Sequence, residues 1–410
     1  MSTIPKLALI PSGVKASKVY SVLPTDGTGD FTFSRAGAAT RVNSEGLIEE
    51  VLTNVPRLNY PMIDGVVSGC PSLLLEPERR NLFTHSEDFS IYVKNNVTVT
   101  SNSTISPKGD LTADLITEDL TLNTHRVYLG SGVNVVSDSS YSVSFFAKNN
   151  GANNITVTAG NFGELPINTT FDLVNGVVLS SISSSTIEKI GDYYYCTITA
   201  TSSTTRNQLI LFNINRLNIT NPFSYQGDGN SGVYIWGAQV EAGSYATSYI
   251  PTQGSQVTRV ADACNNAGNN QVINSTEGVF YVEMNAFDNI SRISLSDGSS
   301  SNRVSFKIDA NNIDFQYRIG GSYSYRVDVD IDTSNTNKIA MSFNNGVFVG
   351  YLNGVAIGNP ISGASLGQGV LNRLNFNDGN SADSFEGNIK EVRVYDTALT
   401  DAELQALTTI

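Results

Sequence analysis

The 410-residue chain is poor in histidine, cysteine, tryptophan and basic charge. Two histidines (His85, His125) and three distant cysteines (Cys70, Cys196, Cys264) supply few ligands for a soft-metal centre and no disulfide framework. The thiols read as reduced, in a protein made in a cytosol. Lys and Arg number 25 against 38 Asp and Glu, a net charge of −13, which argues against nucleic acid as a partner. No apolar run approaches the 18 or so residues of a membrane span, so no membrane insertion is expected. Only Leu7 to Ile10 is apolar near the N-terminus, and Pro11 closes it, which predicts no signal peptide. Gly-x-Ser-x-Gly, Walker and His-Glu-x-x-His motifs are lacking, so the chain does not read as an enzyme. A glycan hydrolase needs only two carboxylates and leaves no motif, so it stands as a lesser alternative.

What is present is short apolar–polar alternation, interrupted by Gly, Asn, Asp and Ser clusters, and this predicts antiparallel β-structure. Turn dipeptides stand at Asn175-Gly176, Asp297-Gly298, Asn345-Gly346, Asn353-Gly354 and Asp378-Gly379. Two of them would join 339–343, 347–352 and 355–357 into a meander. Thr400-x-x-Glu403 is a capping box, with Leu404 and Leu407 as an apolar stripe, predicting a short C-terminal helix. A second helix or turn is expected over 111–116. The fold class expected is all-β: an extended N-terminal segment over 1–90, then β-sandwiches over 91–258 and 272–410.

Leu73-Leu-Leu-Glu-Pro-Glu-Arg-Arg-Asn-Leu-Phe83 with Ser86-Glu-Asp-Phe89 resembles a family of bacteriophage structural proteins, the tail-fibre, head-fibre and spike type. Phe33 to Thr40, Gly46 to Ile48 and Pro56 to Tyr60 fit the same pattern. Tyr141 to Lys148, Phe171 to Gly176 and Tyr234-Ile-Trp-Gly-Ala-Gln-Val-Glu-Ala-Gly243, running to Thr252, are similar to carbohydrate-binding-module-like jelly rolls. Gly191-Asp-Tyr-Tyr-Tyr-Cys196 departs from that pattern, lacking a Trp after the Gly. Lys338 to Phe343, Tyr351 to Val355 and Gly387 to Tyr395 resemble a concanavalin-A-like or laminin-G-like sandwich. The resemblance implies a virion protein, exposed on the particle surface and synthesised in the cytoplasm of a bacterial host. It implies other virion proteins as partners, a host surface glycan as ligand, and a homo-oligomer with a trimer favoured. The alternative is a decoration protein, purely structural, on capsid or tail. Segment 1–90 is expected to be ordered by its neighbours in the particle.

Sugar binding needs aromatic faces beside polar groups. In the first sandwich Tyr194 and Trp236 are candidates, with core packing the competing role of Trp236. In the second, Tyr317, Arg318, Tyr323, Tyr325 and Arg326 surround the Gly320-Gly321 turn, either as a glycan platform or as ordinary cross-strand pairs. Asp328, Asp330 and Asp332 alternate with aliphatics, so they share one strand face. They could contribute to a Ca²⁺ site or form a solvated face that blocks aggregation. No other cofactor is expected. Arg35, Arg41, Arg57, Arg79 and Arg80 sit among glutamates and would either dock a neighbouring virion protein or pin the segment by internal ion pairs.

Overall fold

Strand alternation builds two sandwiches in the computed structural model, which describes residues 3–159, 165–215, 224–287, 289–309 and 311–410. The first sandwich opposes two six-stranded sheets. One runs Val93–Asn95, Arg126–Tyr128, Ile210–Asn215, Asn154–Ala159, Asn168–Asp172, Val177–Ser181. The other runs Val97–Thr104, Ala113–Glu118, Gly232–Ala242, Ser140–Asn150, Tyr193–Thr201, Ser184–Ile190. Every second residue of these strands points inward, and Val143, Phe145, Ile155, Phe171, Phe212 and Ile235 meet as the core.

Ala113–Glu118 lies where a helix or turn was expected, and it is a central strand. Its register against Val97–Thr104 and Gly232–Ala242 sends Ile116 into the core between the sheets and Ala113 to the opposite face, into the cluster of Phe146 and Trp236. Pairing on both sides outweighs a weak local preference. Asp114 in this strand is buried, and its carboxylate accepts from the backbone N–H groups of Phe89 and Asn102.

The second sandwich opposes a five-stranded sheet to an eight-stranded one. The five-stranded sheet runs Ser322–Asp330, Asn312–Ile319, Arg303–Asp309, Ser291–Ser296, Arg373–Asn375. The larger sheet contains the expected meander as Asn337–Asn344, Val347–Leu352 and Val355–Ser362, followed by Glu277–Ala286 and Gly387–Tyr395. Asn345 and Gly346 have φ of 46° and 88°, and Asn353 and Gly354 have 49° and 82°. Both hairpins thus use two consecutive left-handed residues, the geometry that matches strand twist.

Three strands from the N-terminal segment complete this larger sheet. Leu7–Leu9 pairs with Gly387–Tyr395 in the register Leu7 to Val394, and Ser72–Leu75 pairs with the same strand as Leu73 to Ile389. Arg57–Asn59 then pairs outside Ser72–Leu75. The segment is therefore ordered by its own chain, with Leu7, Leu9, Leu73 and Leu75 in the core shared with Phe306 and Ile389. The C-terminal helix Asp401–Thr408 is capped as expected: Thr400 Oγ1 accepts from Glu403 N, and the Glu403 carboxylate accepts from Thr400 N at 2.9 Å. Leu404 buries the helix against Val279, Tyr281, Ala340 and Tyr351 on the outer face of the larger sheet.

A buried ion network joins the N-terminal segment to the chain that leaves the first sandwich. Arg35 donates to Asp262 at 3.0 Å, Arg57 bonds both Glu76 and Asp262, and Arg259 meets Glu76 at 2.9 Å. All five side chains are buried. Ser248 Oγ donates to Glu76, and Arg35 also reaches the carbonyls of Gly37 and Leu52. Burial opposes ionisation of Glu76, yet Arg259, Arg57 and two bonds from Ser248 hold its carboxyl down at about 2. Burial likewise opposes the charge of Arg57, but Asp262 and Glu76 raise its pKa. Arg35 has less compensation, and burial lowers it.

Truncating Leu7 to Ala removes a fully buried side chain and should cost about 2–5 kcal/mol in urea unfolding. A cost near zero would mean that the N-terminal strand is not part of the fold. The Glu76 carboxyl lies below its ordinary value of 4.5, so its contribution is complete above that pH and lost as pH falls towards 2. Glu76→Gln should therefore lose about 3–5 kcal/mol at pH 7. It should also flatten the acid limb of the stability curve between pH 4.5 and 2, as read by thermal unfolding across pH.

Candidate functional site

Of the first-sandwich candidates, Trp236 is in the core. It is fully buried between Phe146 and Tyr249, with ring centroids at 5.5 Å and 4.5 Å. Alternation puts Tyr193 on this same side, where its hydroxyl donates to the Ile105 carbonyl at 2.8 Å. Tyr194 points to the opposite side and is half-buried against the Gly176 turn. A Trp with no exposed face cannot stack on a sugar, so Trp236 is corrected from the list of ligand candidates to the core packing that its sequence context favoured.

The five candidates around Gly320-Gly321 divide between the two faces of their sheet. Tyr317 is fully buried; its hydroxyl donates to the Ser275 carbonyl at 2.8 Å and accepts from Leu366 N at 3.0 Å. Tyr325 is also core, packed on Phe348 at 5.6 Å. Both are therefore corrected from ligand candidates to core residues. Arg318, Tyr323 and Arg326 remain outside, with the guanidinium carbons of Arg318 and Arg326 at 4.9 Å and 5.2 Å from the Tyr323 ring centroid.

Plain alternation would put Tyr323 and Tyr325 on one face. The register instead pairs Tyr317 with Tyr325 and Arg318 with Tyr323, leaving Ser324 as an extra residue in a β-bulge. The bulge turns Tyr325 inward and releases Tyr323 to solvent, where it is 46% exposed. No dipeptide signal in the sequence marks it.

Behind Tyr323 the outer face is polar and packed. Gln316 accepts from Arg292 at 2.7 Å and from Arg303 at 3.3 Å, and donates to Asp314 at 2.6 Å. Arg326 completes the group on Asp314 at 2.9 Å, while Arg292 pairs with Asp383 at 2.7 Å. Burial, together with the like charges of Arg292 and Arg318, lowers the Arg303 guanidinium to about 10, only partly offset by Asp378.

Asp328 and Asp330 share an exposed face of Ser322–Asp330, the edge strand of this sheet. Asp332 lies just beyond and accepts from Ser334 N at 3.0 Å and from its hydroxyl, bonds that lower its pKa. Among the described residues no group of three His, Cys, Asp or Glu side chains is placed to hold a metal ion. A row of carboxylates along an open edge is a barrier to edge-to-edge pairing.

The N-terminal arginines take several positions. Arg35 and Arg57 are consumed by the buried network and are corrected from docking candidates to internal ion pairs. Arg41 pairs with Glu49 at the surface, Arg79 lies over the Tyr245 ring at 4.9 Å, and Arg80 is exposed. A cleft of about 430 Å³ also opens between the segment and both sandwiches. Phe146, Tyr195, Tyr60 and Phe287 contribute apolar surface to it, with Asn59 and Asn388 among its polar groups. Sequence reasoning missed it because its walls come from segments far apart along the chain.

Residues 279–405 match the family model of the concanavalin A-like lectin/glucanases superfamily, which spans both sheets of the second sandwich. The sialidase CBM40 of Ruminococcus gnavus, solved with α2,3-sialyllactose bound, is 20% identical with a TM-score of 0.30, covering 35% of this chain and 93% of its own. Domains LG4-5 of the mouse laminin α1 chain are 10% identical with a TM-score of 0.25, covering 70% and 88%. A leech intramolecular trans-sialidase is 19% identical with a TM-score of 0.30, covering 36% and 26%. No curated protein matches the chain in sequence. The family match thus falls on the second sandwich, and the outer face of that sandwich carries the surviving candidates.

Replacing Tyr317 by Phe should cost about 1–3 kcal/mol in denaturant unfolding, because the Ser275 carbonyl and Leu366 N–H lose a buried partner.

Proposed function

We propose that the chain is a non-enzymatic glycan-binding protein of a bacteriophage virion, a fibre or spike component exposed on the particle. The observation that carries the binding part is Tyr323, exposed between two guanidinium groups on a lectin-like sandwich. An aromatic ring offers its face to the apolar side of a pyranose, and the flanking N–H groups meet the hydroxyls. The virion part rests on the fibre-type resemblance of Leu73 to Phe83 and of Tyr234 to Thr252. Such a site is shallow and its single-site affinity modest, so adhesion would come from copies repeated in a homo-oligomer, a trimer by the same resemblance. The chain divides functionally into an attachment segment over 1–90, which also completes the second sandwich, a jelly roll over 91–258, and the lectin-like unit over 272–410.

Saturable binding of the purified oligomer to host cells and to their extracted surface polysaccharide tests the reading. Tyr323→Ala should weaken single-site binding about tenfold, near 1.4 kcal/mol, while leaving unfolding within about 0.5 kcal/mol of wild type. A folded oligomer that binds neither would be a structural decoration instead.

A further inference from the structure

The register of the five-stranded sheet draws one row across its outer face. Arg373 lies opposite Ser296, Ser296 opposite Arg303, Arg303 opposite Arg318, and Arg318 opposite Tyr323. Directly opposed residues sit about 5 Å apart, and like charges so placed repel. Arg303 directly opposite Arg318 is thus an unfavourable pair, with Arg373 further along the same row, in a chain whose net charge is −13.

The face neutralises them only in part. Asp314 is taken by Arg326 and Asp383 by Arg292, while Asp378 is 3.9 Å from Arg303. Arg318 and Arg373 have no carboxylate partner among the described residues. Their donors go to neutral oxygens instead: Arg318 to the Ser300 and Gly321 carbonyls, Arg373 to the Asn372 amide. Arg303 is 2% exposed, and the Nε atoms of Arg303 and Arg318 are buried with no hydrogen-bond partner among the described residues. Arg57 and Arg259 also have buried Nε atoms without a hydrogen-bond partner among the described residues, but they meet Glu76 at close range, whereas Arg318 meets no carboxylate there.

From this row, and resting on the glycan reading above, we infer that the face takes an acidic saccharide, its carboxylate on Arg318 and its ring against Tyr323. The guanidinium fork matches a carboxylate in two parallel bonds, and a bound anion would relieve the repulsion along the row. Arg303 lies beneath, adding charge without needing contact.

Titration of the full chain with glucuronate, galacturonate, methyl glucoside and acetate, followed by NMR of the arginine Nε–H groups and by calorimetry, tests this. Both uronates should bind saturably and at least tenfold tighter than methyl glucoside or acetate. Arg318→Gln should lose at least tenfold in uronate affinity, and Arg318→Lys should recover only part of it. Equal binding of uronate and methyl glucoside would overturn the anion assignment and leave sugar recognition standing. Equal binding of uronate and acetate would overturn sugar recognition at this row. No binding of any of them would overturn both. The wild-type comparison decides the matter if the Gln variant fails to fold.

Discussion

The buried contact of Arg57 with Glu76 and Asp262 is the constraint on which the architecture turns. Arg57 lies in the outermost strand of the larger sheet, Glu76 follows the next strand, and Asp262 lies beyond the first sandwich. One guanidinium therefore fixes three distant stretches of chain. Desolvating these ions is costly, and the cost is met only while every partner is present. The network holds Ser72–Leu75 beside Gly387–Tyr395, which places Leu73 and Leu75 in the core that supports the five-stranded sheet.

The molecule uses arginine in two opposite ways. In the network, Arg57 and Arg259 face Glu76, and the carboxylate is held well below its ordinary range. On the outer face of the five-stranded sheet the guanidinium groups outnumber the carboxylates they meet, and Arg303 is lowered by burial and by its neighbours. Only in the first arrangement does a single carboxylate face two arginines. Under the acidic-saccharide proposal, the charge missing from the second arrangement would arrive with the ligand.

Local signals were legible in the sequence where the physics is local. Both Asn-Gly hairpins have positive φ at each central residue, and Thr400 and Glu403 close the capping box. Alternation separated Tyr194 from Tyr193, and it aligned the aspartates of Ser322–Asp330. It failed at Ser324, because a bulge is set by packing of Tyr325 and Tyr317 against Phe348 and leaves no residue signature. Leu7 opposite Val394 was invisible for another reason: a three-residue strand carries no period, and its partner lies at the other end of the chain. The partner of Arg35 and Arg57, Asp262, was overlooked because charge proximity along the sequence pointed to nearby glutamates.

The same bulge connects the open edge of the sheet to the candidate site. An edge strand offers unpaired N–H and C=O groups and invites pairing with another chain. Along Ser322–Asp330 the exposed Asp328 and Asp330 oppose such pairing at one end, and the bulge at Ser324 breaks the ladder at the other. Tyr323 becomes exposed at the point where the edge ceases to be a regular template. Exposure of an aromatic ring and protection of an open edge are thus met within the nine residues of one strand.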